Sequence, residues 1–490
     1  MKKRIAVVGA GLAGSEAAWV LANTYDAEVL LFEMKSHSPT PAQSEPHHFA
    51  ELVCSNSLKS KSRLNPAGLL KSEMQALGSL MILASQQSEV PAGEALAVDR
   101  ELFSGFITHS LRNHPGITVH EQQVQSVDEV FGYGVEKVII ATGPLTANGL
   151  ADDLRARTDS QGLYFYDAIA PIIDGDTIDH AIAFFANRKT RTASRDAKLK
   201  ELQAGVDPSG GHVNDGETGH YLNLPLNKEE YFAFVEALKN GEKVPYHDFE
   251  EPRFFNGCQP IEVLADSGPM TLAFGPMKPM GLDDPRTGRR PYAAVQLRRE
   301  KLGDGSFNMV GFQTRLKWPE QKRIFRMLPG LANAEFHRMG SMHRNTYLNA
   351  PRLLNRNDLS LKFNSSVWLA GQISGVEGYV ESAATGLLIG HLVGQTAVRN
   401  REFVLPPKDT AMGSLVAHLR DSLPEHYCPM NIHWGLFSEV STEDLEKSKA
   451  KYPELENLKP GKKLDKGLKR SILADRSEAL YANWLAIAGL

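Results

Sequence analysis

Cysteine is nearly absent: the chain has 490 residues and three cysteines, Cys54, Cys258 and Cys428. So few cannot staple a chain of this length, which excludes a disulfide scaffold. None forms a C-x-x-C pair and no Cys/His cluster has zinc-ligand spacing, so no metal centre is expected. Long apolar runs are missing too, since none reaches the ~18 residues of a membrane span. The start of the chain imitates a secretory leader, but Gly9, Gly11 and Gly14 interrupt it and Glu16 places a charge inside it. The expected setting is a reducing cytoplasm with no membrane partner. Charge of one sign is also lacking, with 54 basic against 58 acidic residues and a net charge of −4. That excludes a general basic field, so any nucleic acid must be met by a local patch.

What remains is an ordinary folding composition, 42% hydrophobic and 23% charged. A chain this long buries a large core and divides into several units. Its glycines matter by position. Residues 4–8 read as a short buried strand, followed by Gly9-Ala10-Gly11-Leu12-Ala13-Gly14 and a helical stretch. A second strand then ends at Glu33, 19 positions past Gly14. This is G-x-G-x-x-G in its required context. Gly9 makes the tight turn, Gly11 admits a pyrophosphate to the backbone, and Gly14 lets helix pack on strand. The helix start offers N–H groups to phosphate, and Glu33 suits ribose hydroxyls.

Two more apolar strands end in glycine turns. One is 138–143, ending in Ala141-Thr142-Gly143. The other is 367–371, followed by Gly375, Gly378 and a small-residue helix carrying Gly386 and Gly390. A dehydrogenase binding NAD needs only the first motif. Three marked strand ends spread along the chain fit one extended FAD.

Several segments then carry a resemblance: 9–18, 49–58, 90–100, 141–146, 165–171, 257–262, 274–279, 310–314, 342–346 and 371–386. The block Glu51-Leu52-Val53-Cys54-Ser55-Asn56-Ser57 is the most specific. Together they are similar to the folate- and FAD-dependent tRNA uracil-5 methyltransferase family, over roughly residues 4–440. A longer wobble-uridine modification enzyme that also carries FAD is a weaker match, because it lacks the cysteine block.

The resemblance implies methylation of uracil C5 in tRNA, giving 5-methyluridine at position 54 of the T-loop. The one-carbon unit would come from 5,10-methylenetetrahydrofolate, and the reducing equivalents from FAD and NADH or NADPH. Ribosomal RNA as substrate, or a small-molecule flavin oxidoreductase, are the alternatives. Adding a thiolate to uracil C6 makes C5 carbanion-like, so a cysteine nucleophile is required. By resemblance that nucleophile is Cys258, with Cys54 a second functional thiol and proton-transfer partner. FAD positions carry over at Gly9, Gly11, Gly14, Glu33, Gly371 and Gly378, with Ala10, Leu12 and Ala13 between the first glycines.

Local context supports both thiols. Ser55-Asn56-Ser57 resemble a helix N-cap, which would set Cys54 near a helix start where thiolate is favoured. Cys258 lies between Asn256-Gly257 and Gln259-Pro260, a turn that presents its side chain. Cys428 has no such support and is expected to be structural. Where family members carry a further cysteine, this chain has Leu224 in Tyr221-Leu222-Asn223-Leu224-Pro225. Residues 187–218 are longer than the family pattern and read as a polar surface insertion, with Arg188, Arg191 and Arg195 as optional RNA contacts.

Three basic runs answer the charge problem. They are 286–301 (Arg286, Arg289, Arg290, Arg298, Arg299, Lys301), 315–326 (Arg315, Lys317, Lys322, Arg323, Arg326) and 459–470 (Lys459, Lys462, Lys463, Lys466, Lys469, Arg470). Each is read either as a solvated face or as an RNA contact, with Tyr292 and Trp318 near enough to stack on bases. Arg298 and Lys317 are alternatively partners for FAD or folate charges. His343-Arg344-Asn345 is expected to line the flavin or folate face, and Trp318 or Tyr347 to stack on the pterin.

The expected fold class is α/β: a glutathione-reductase-type FAD-binding (Rossmann-like) domain with a smaller inserted α+β domain. Its boundaries are read as 1–165 and 305–440 for the two parts of the FAD domain. The insertion carrying Cys258 takes 166–304, and a helical segment takes 441–490.

Overall fold

The computed structural model describes residues 2–39, 43, 45–158, 163–188, 220–245, 259–300, 305–456 and 464–490, with backbone alone for 163–169 and 342–346. Cys258, Arg191, Arg195, Lys301, Lys459, Lys462 and Lys463, with most of the 187–218 stretch, lie outside the described residues.

Continuous apolar runs such as Ile5–Val8 build strands buried on both faces. They form a six-stranded sheet in the order Ser360–Leu361, Asn364–Leu369, Lys137–Ile140, Arg4–Val8, Glu28–Glu33, Ile117–Glu121. Every pairing is parallel except the one at the Ser360–Leu361 edge. Arg4–Val8 has Lys137–Ile140 on one side and Glu28–Glu33 on the other. The strand order therefore reverses at Arg4–Val8, and ligands of such sheets bind at the carboxyl ends there.

The helix Leu12–Tyr25 packs against Tyr379–Val393, so the domain is built from both ends of the chain. Two glycines set that distance. A Cβ on Gly386 would lie 2.0 Å from the Ala13 carbonyl oxygen, and one on Gly390 2.3 Å from Val20 Cγ1. The C-terminal helix Lys466–Ala488 buries Tyr481 and Trp484 in the same core. The Trp484 indole N–H donates to the Val404 carbonyl at 2.8 Å.

A second sheet is antiparallel throughout, in the order Phe184–Phe185, Tyr221–Leu226, Ala293–Arg299, Ser306–Met309, Ile172–Asp174, Phe336–Arg338. Alternation gives it two unlike faces. Leu222, Leu224, Leu226, Val295 and Leu297 bury themselves under the helix Lys228–Asn240, which supplies Tyr231, Phe234, Val235 and Leu238. Leu224 is thus a core residue. Asn223, Gln296, Arg298 and Asn308 are polar yet buried, and the Gln296 amide donates to Asn223 at 3.0 Å. The strands of this sheet run from 172 to 338, on both sides of the boundary expected at 304.

Candidate active site

The three glycine-marked strand ends meet in one cleft of about 190 Å³ at the carboxyl edge of the parallel sheet. Gly9, Gly11, Leu12 and Ala13 line it with Glu33, with Ala141-Thr142-Gly143 and with Gly371-Gln372. Gly9 has φ +98°, and a Cβ there would stand 2.6 Å from the Ala141 carbonyl oxygen. At Gly11 a Cβ would meet nothing within 4 Å, so the backbone is open on the cleft side. Gly14 acts more locally than expected: its Cβ would lie 1.7 Å from the Gly9 carbonyl, so it closes the turn onto itself.

Glu33 is held in place by two amides, Ala10 N at 2.6 Å and Lys35 N at 2.9 Å. No side chain caps the 14-residue helix Leu12–Tyr25 at Gly11. Its first N–H groups are left for an anion. Open backbone, an uncapped helix start and an acid at the next strand end together fit a dinucleotide such as FAD. Gly378 is set back from the cleft lining, with φ +108°, and turns the chain so that Tyr379 and Ser382 face the space.

Tyr379 is the residue that sequence reading left without a role. Its hydroxyl donates to Cys54 Sγ at 3.0 Å and accepts from Cys54 N at 2.7 Å and Ser55 N at 3.3 Å. Burial holds its pKa well above the ordinary tyrosine value, so the hydroxyl keeps its proton. The helix start expected at 55–57 is not there, because Ser57–Ser60 is a strand. The helix start near the sulfur is Tyr379–Val393, which arrives from 325 residues away. Cys54 itself is half-buried.

Guanidinium groups from three elements converge beside this loop. Arg298, almost fully buried in the second sheet, donates to Asn56 Oδ1 at 2.7 Å and Ser55 Oγ at 2.6 Å. The Asn56 amide returns a bond to the Arg299 carbonyl at 2.8 Å. This latch fastens the second sheet to the Cys54 loop, so Arg298 faces neither RNA nor solvent. Arg100 donates to the Leu52 carbonyl at 2.8 Å and pairs with Glu300 at 2.7 Å. Arg338 is different. Its Nε and Nη2 are buried, and among the described residues it has no hydrogen-bond or ion-pair partner. Burial pulls its pKa down, Arg100 adds to this, and Glu300, Tyr379 and Cys54 oppose it. An anion beside these two nitrogens would give them the partner they lack.

Other expectations need correction. Tyr347 is buried in the core with its hydroxyl toward the Tyr427 carbonyl at 3.4 Å, so it is not exposed for pterin stacking. Trp318 is 65% exposed at the start of Trp318–Phe325 and does not line the cleft. Cys428 is exposed rather than packed in the core. Arg188 is half-buried beside the Pro276 carbonyl at 3.5 Å. The run 315–326 is largely self-neutralised, with Lys317 on Glu242, Arg323 on Glu320 and Arg326 on Glu335. His343-Arg344-Asn345 lies on the strand Ser341–Tyr347, paired with Leu163–Ile169.

The model of the family described as glucose inhibited division protein A matches residues 4–206 and 205–401. A methylenetetrahydrofolate--tRNA-(uracil-5-)-methyltransferase TrmFO of Nitratidesulfovibrio vulgaris (strain DP4) is 47% identical over 99% of this chain and 90% of its own length. The protein of that name from Oleidesulfovibrio alaskensis is 49% identical over 92% of this chain and 94% of its own. The one from Enterococcus faecalis is 46% identical over 93% and 97%. Among solved structures, Aquifex aeolicus GidA in its form II crystal superposes with a TM-score of 0.60 at 15% identity, over 99% of this chain and 88% of that one. That likeness establishes the fold; the near-full-length identities show that this chain belongs to the TrmFO family of methylenetetrahydrofolate--tRNA-(uracil-5-)-methyltransferases.

Proposed function

We propose that this chain methylates C5 of a uracil in tRNA, at position 54 of the T-loop, in the cytoplasm. The observation that carries the reading is the convergence on one cleft of three glycine-marked strand ends and of Tyr379, whose hydroxyl donates to Cys54. FAD would be held by Gly9, Gly11, Glu33, Gly371 and the start of Leu12–Tyr25. A folate methylene lies one two-electron reduction above a methyl group, and FAD held here, once reduced by NADH or NADPH, would supply those electrons.

The chain's own residues do the rest. Cys258 as thiolate adds to uracil C6 and gives an enolate with a nucleophilic C5. After C5 takes the one-carbon unit its proton must leave, and Cys54 is the group assigned to receive it. The Tyr379 hydroxyl and the guanidiniums of Arg100 and Arg338 favour the negative charge that Cys54 carries before it does so. Arg298, through Ser55 and Asn56, keeps the Cys54 loop in register with the second unit, which by its strands we set at 166–340.

The test is to incubate the FAD-loaded protein with methylenetetrahydrofolate, NADPH and unmodified tRNA, then digest and look for 5-methyluridine. Parallel tubes hold ribosomal RNA or no RNA. Product in the tRNA tube alone, lost in Cys258→Ala with FAD retained, is the expected result. Product only in ribosomal RNA, or RNA-independent NADPH oxidation without 5-methyluridine, contradicts the reading.

A further inference from the structure

The second unit carries a separate cleft of about 920 Å³ at its far end. It lies beyond Leu226 and Ala293, which pair with each other at one end of two strands. Tyr221 and Arg298 pair at the other end, beside Ser55 and Asn56. Five residue steps along Ala293–Arg299 separate the two ends, roughly 17 Å at strand spacing.

Two chemistries share this cleft. The first is positive charge. Lys228, Lys278 and Arg290 line it, and none of their side chains has a hydrogen-bond or ion-pair partner among the described residues. Its acids are already engaged: Glu230 accepts from Asn227 N at 2.8 Å in a helix cap, and Asp284 holds Arg286 at 2.8 Å. The turn that presents Arg286, Arg289 and Arg290 is braced from behind. Asp284 N donates to the Arg289 carbonyl at 2.9 Å, and Gly288 N to the Asp284 carbonyl at 2.8 Å. The backbone that carries Arg290 is therefore fixed, with Arg286 tied to Asp284. The second chemistry is exposed π and thioether surface. Phe274 is 76% exposed and Met280 54%, and both line the cleft with Tyr292.

We propose that this cleft is a second RNA-docking site, which grips the phosphate backbone of the tRNA away from the reacting uracil and stacks an unpaired base on Phe274. It rests on the reading of tRNA as substrate and deepens it. A base to be modified enters the near cleft alone, so the rest of the folded RNA must be held elsewhere. Spaced, unpaired cations suit phosphates, and a bare aromatic face suits any base. A second copy of this chain is a poorer fit, because the unpaired cations would face their own kind across a two-fold axis.

The experiment is equilibrium binding of an unmodified tRNA transcript to the FAD-loaded protein between 50 and 200 mM salt. Wild type is compared with Phe274→Ala and with the pair Lys278→Glu and Arg290→Glu. Melting temperature and FAD content report an intact fold, and Lys278→Met with Arg290→Met replaces the reversal if it fails to fold. The charge variant is expected to bind about ten-fold more weakly, with a log–log salt slope smaller by about two. Phe274→Ala is expected to lose several-fold with its slope unchanged, since stacking releases no counterions. Wild-type affinity and slope in both variants overturn the proposal, as does a wild-type dimer that the charge variant splits. Because binding is read directly, a wild-type protein that binds tRNA but makes no 5-methyluridine would overturn the functional reading and leave the docking site standing.

Discussion

At the scale of single residues, the proposed chemistry rests on a sulfur and the groups around it. Cys54 was legible because the block Glu51–Ser57 carries the family resemblance. Tyr379 was visible as a letter but not as a partner, since no periodicity links residues 325 positions apart. The same holds for Arg338, whose unpaired guanidinium appears only once strands from distant segments pair. Two outcomes follow from their placement. Tyr379→Phe removes the donor to Sγ and should lower turnover roughly ten- to hundred-fold, for a lost hydrogen bond to a charged group worth about 1.5–3 kcal/mol. FAD content should be unchanged, measured by flavin absorbance. Arg338→Met removes a cation beside the sulfur. With Cys258 and Cys428 replaced by alanine, alkylation of Cys54 by iodoacetamide at pH 7 should slow several-fold, because thiolate is the reacting form. Arg338→Lys should restore most of the rate, which a merely structural role for the side chain would not give.

At the scale of elements, the glycine-turned strands were readable because hydrophobic run, turn and helix are each local. The strand Arg4–Val8 and the helix Leu12–Tyr25 lie where the pattern placed them. The helix cap expected at 55–57 was not found, because Ser-Asn-Ser signals serve turns and strand entries as well as caps. The contact between Leu12–Tyr25 and Tyr379–Val393 depends on glycines whose spacing alone does not name their partner. Gly386→Ala should cost about 1–3 kcal/mol through overpacking against the Ala13 carbonyl. Chemical denaturation measures the loss, and FAD dissociation should quicken alongside it.

Buried histidine in Tyr379–Val393 adds a pH signature. His391 meets the Tyr25 hydroxyl at 2.9 Å and the Leu77 carbonyl at 3.1 Å, which suits the neutral ring. Burial pulls its pKa down to about 4, against 6.5 unperturbed. The unfolded chain therefore binds the proton more readily, and the stability from this residue, full above 6.5, is lost as pH falls toward 4. His391→Gln should be less stable at pH 7 by about 1–3 kcal/mol for a lost buried hydrogen bond. That gap should narrow between pH 6.5 and 4 in thermal melts, while Glu16 and Glu73, titrating in both proteins, cancel from the difference.

At the scale of the whole molecule, scarcity of cysteine and of net positive charge turned out to be instructive in different ways. Few cysteines left only three thiols to weigh, and one lines up with the cleft through Tyr379. A net charge of −4 sent attention to three basic runs, and packing divides the first of them. Arg298 becomes a latch between units, while Arg289 and Arg290 stay exposed at the far cleft. Composition cannot make that division, since it depends on which end of a strand faces another sheet. The inserted sheet was readable as a class but not in extent, because its last strand, Phe336–Arg338, returns after a helical stretch.

The central claim is that a folate-derived carbon is transferred to tRNA in the cleft beside Cys54. The most direct measurement is to supply methylenetetrahydrofolate deuterated at its methylene, with FAD-loaded protein, NADPH and unmodified tRNA, and to weigh the nucleosides. The account predicts 5-methyluridine carrying two deuterium atoms in its methyl group, with none formed by Cys258→Ala. An unlabelled methyl group, or no 5-methyluridine while NADPH is consumed, would contradict it.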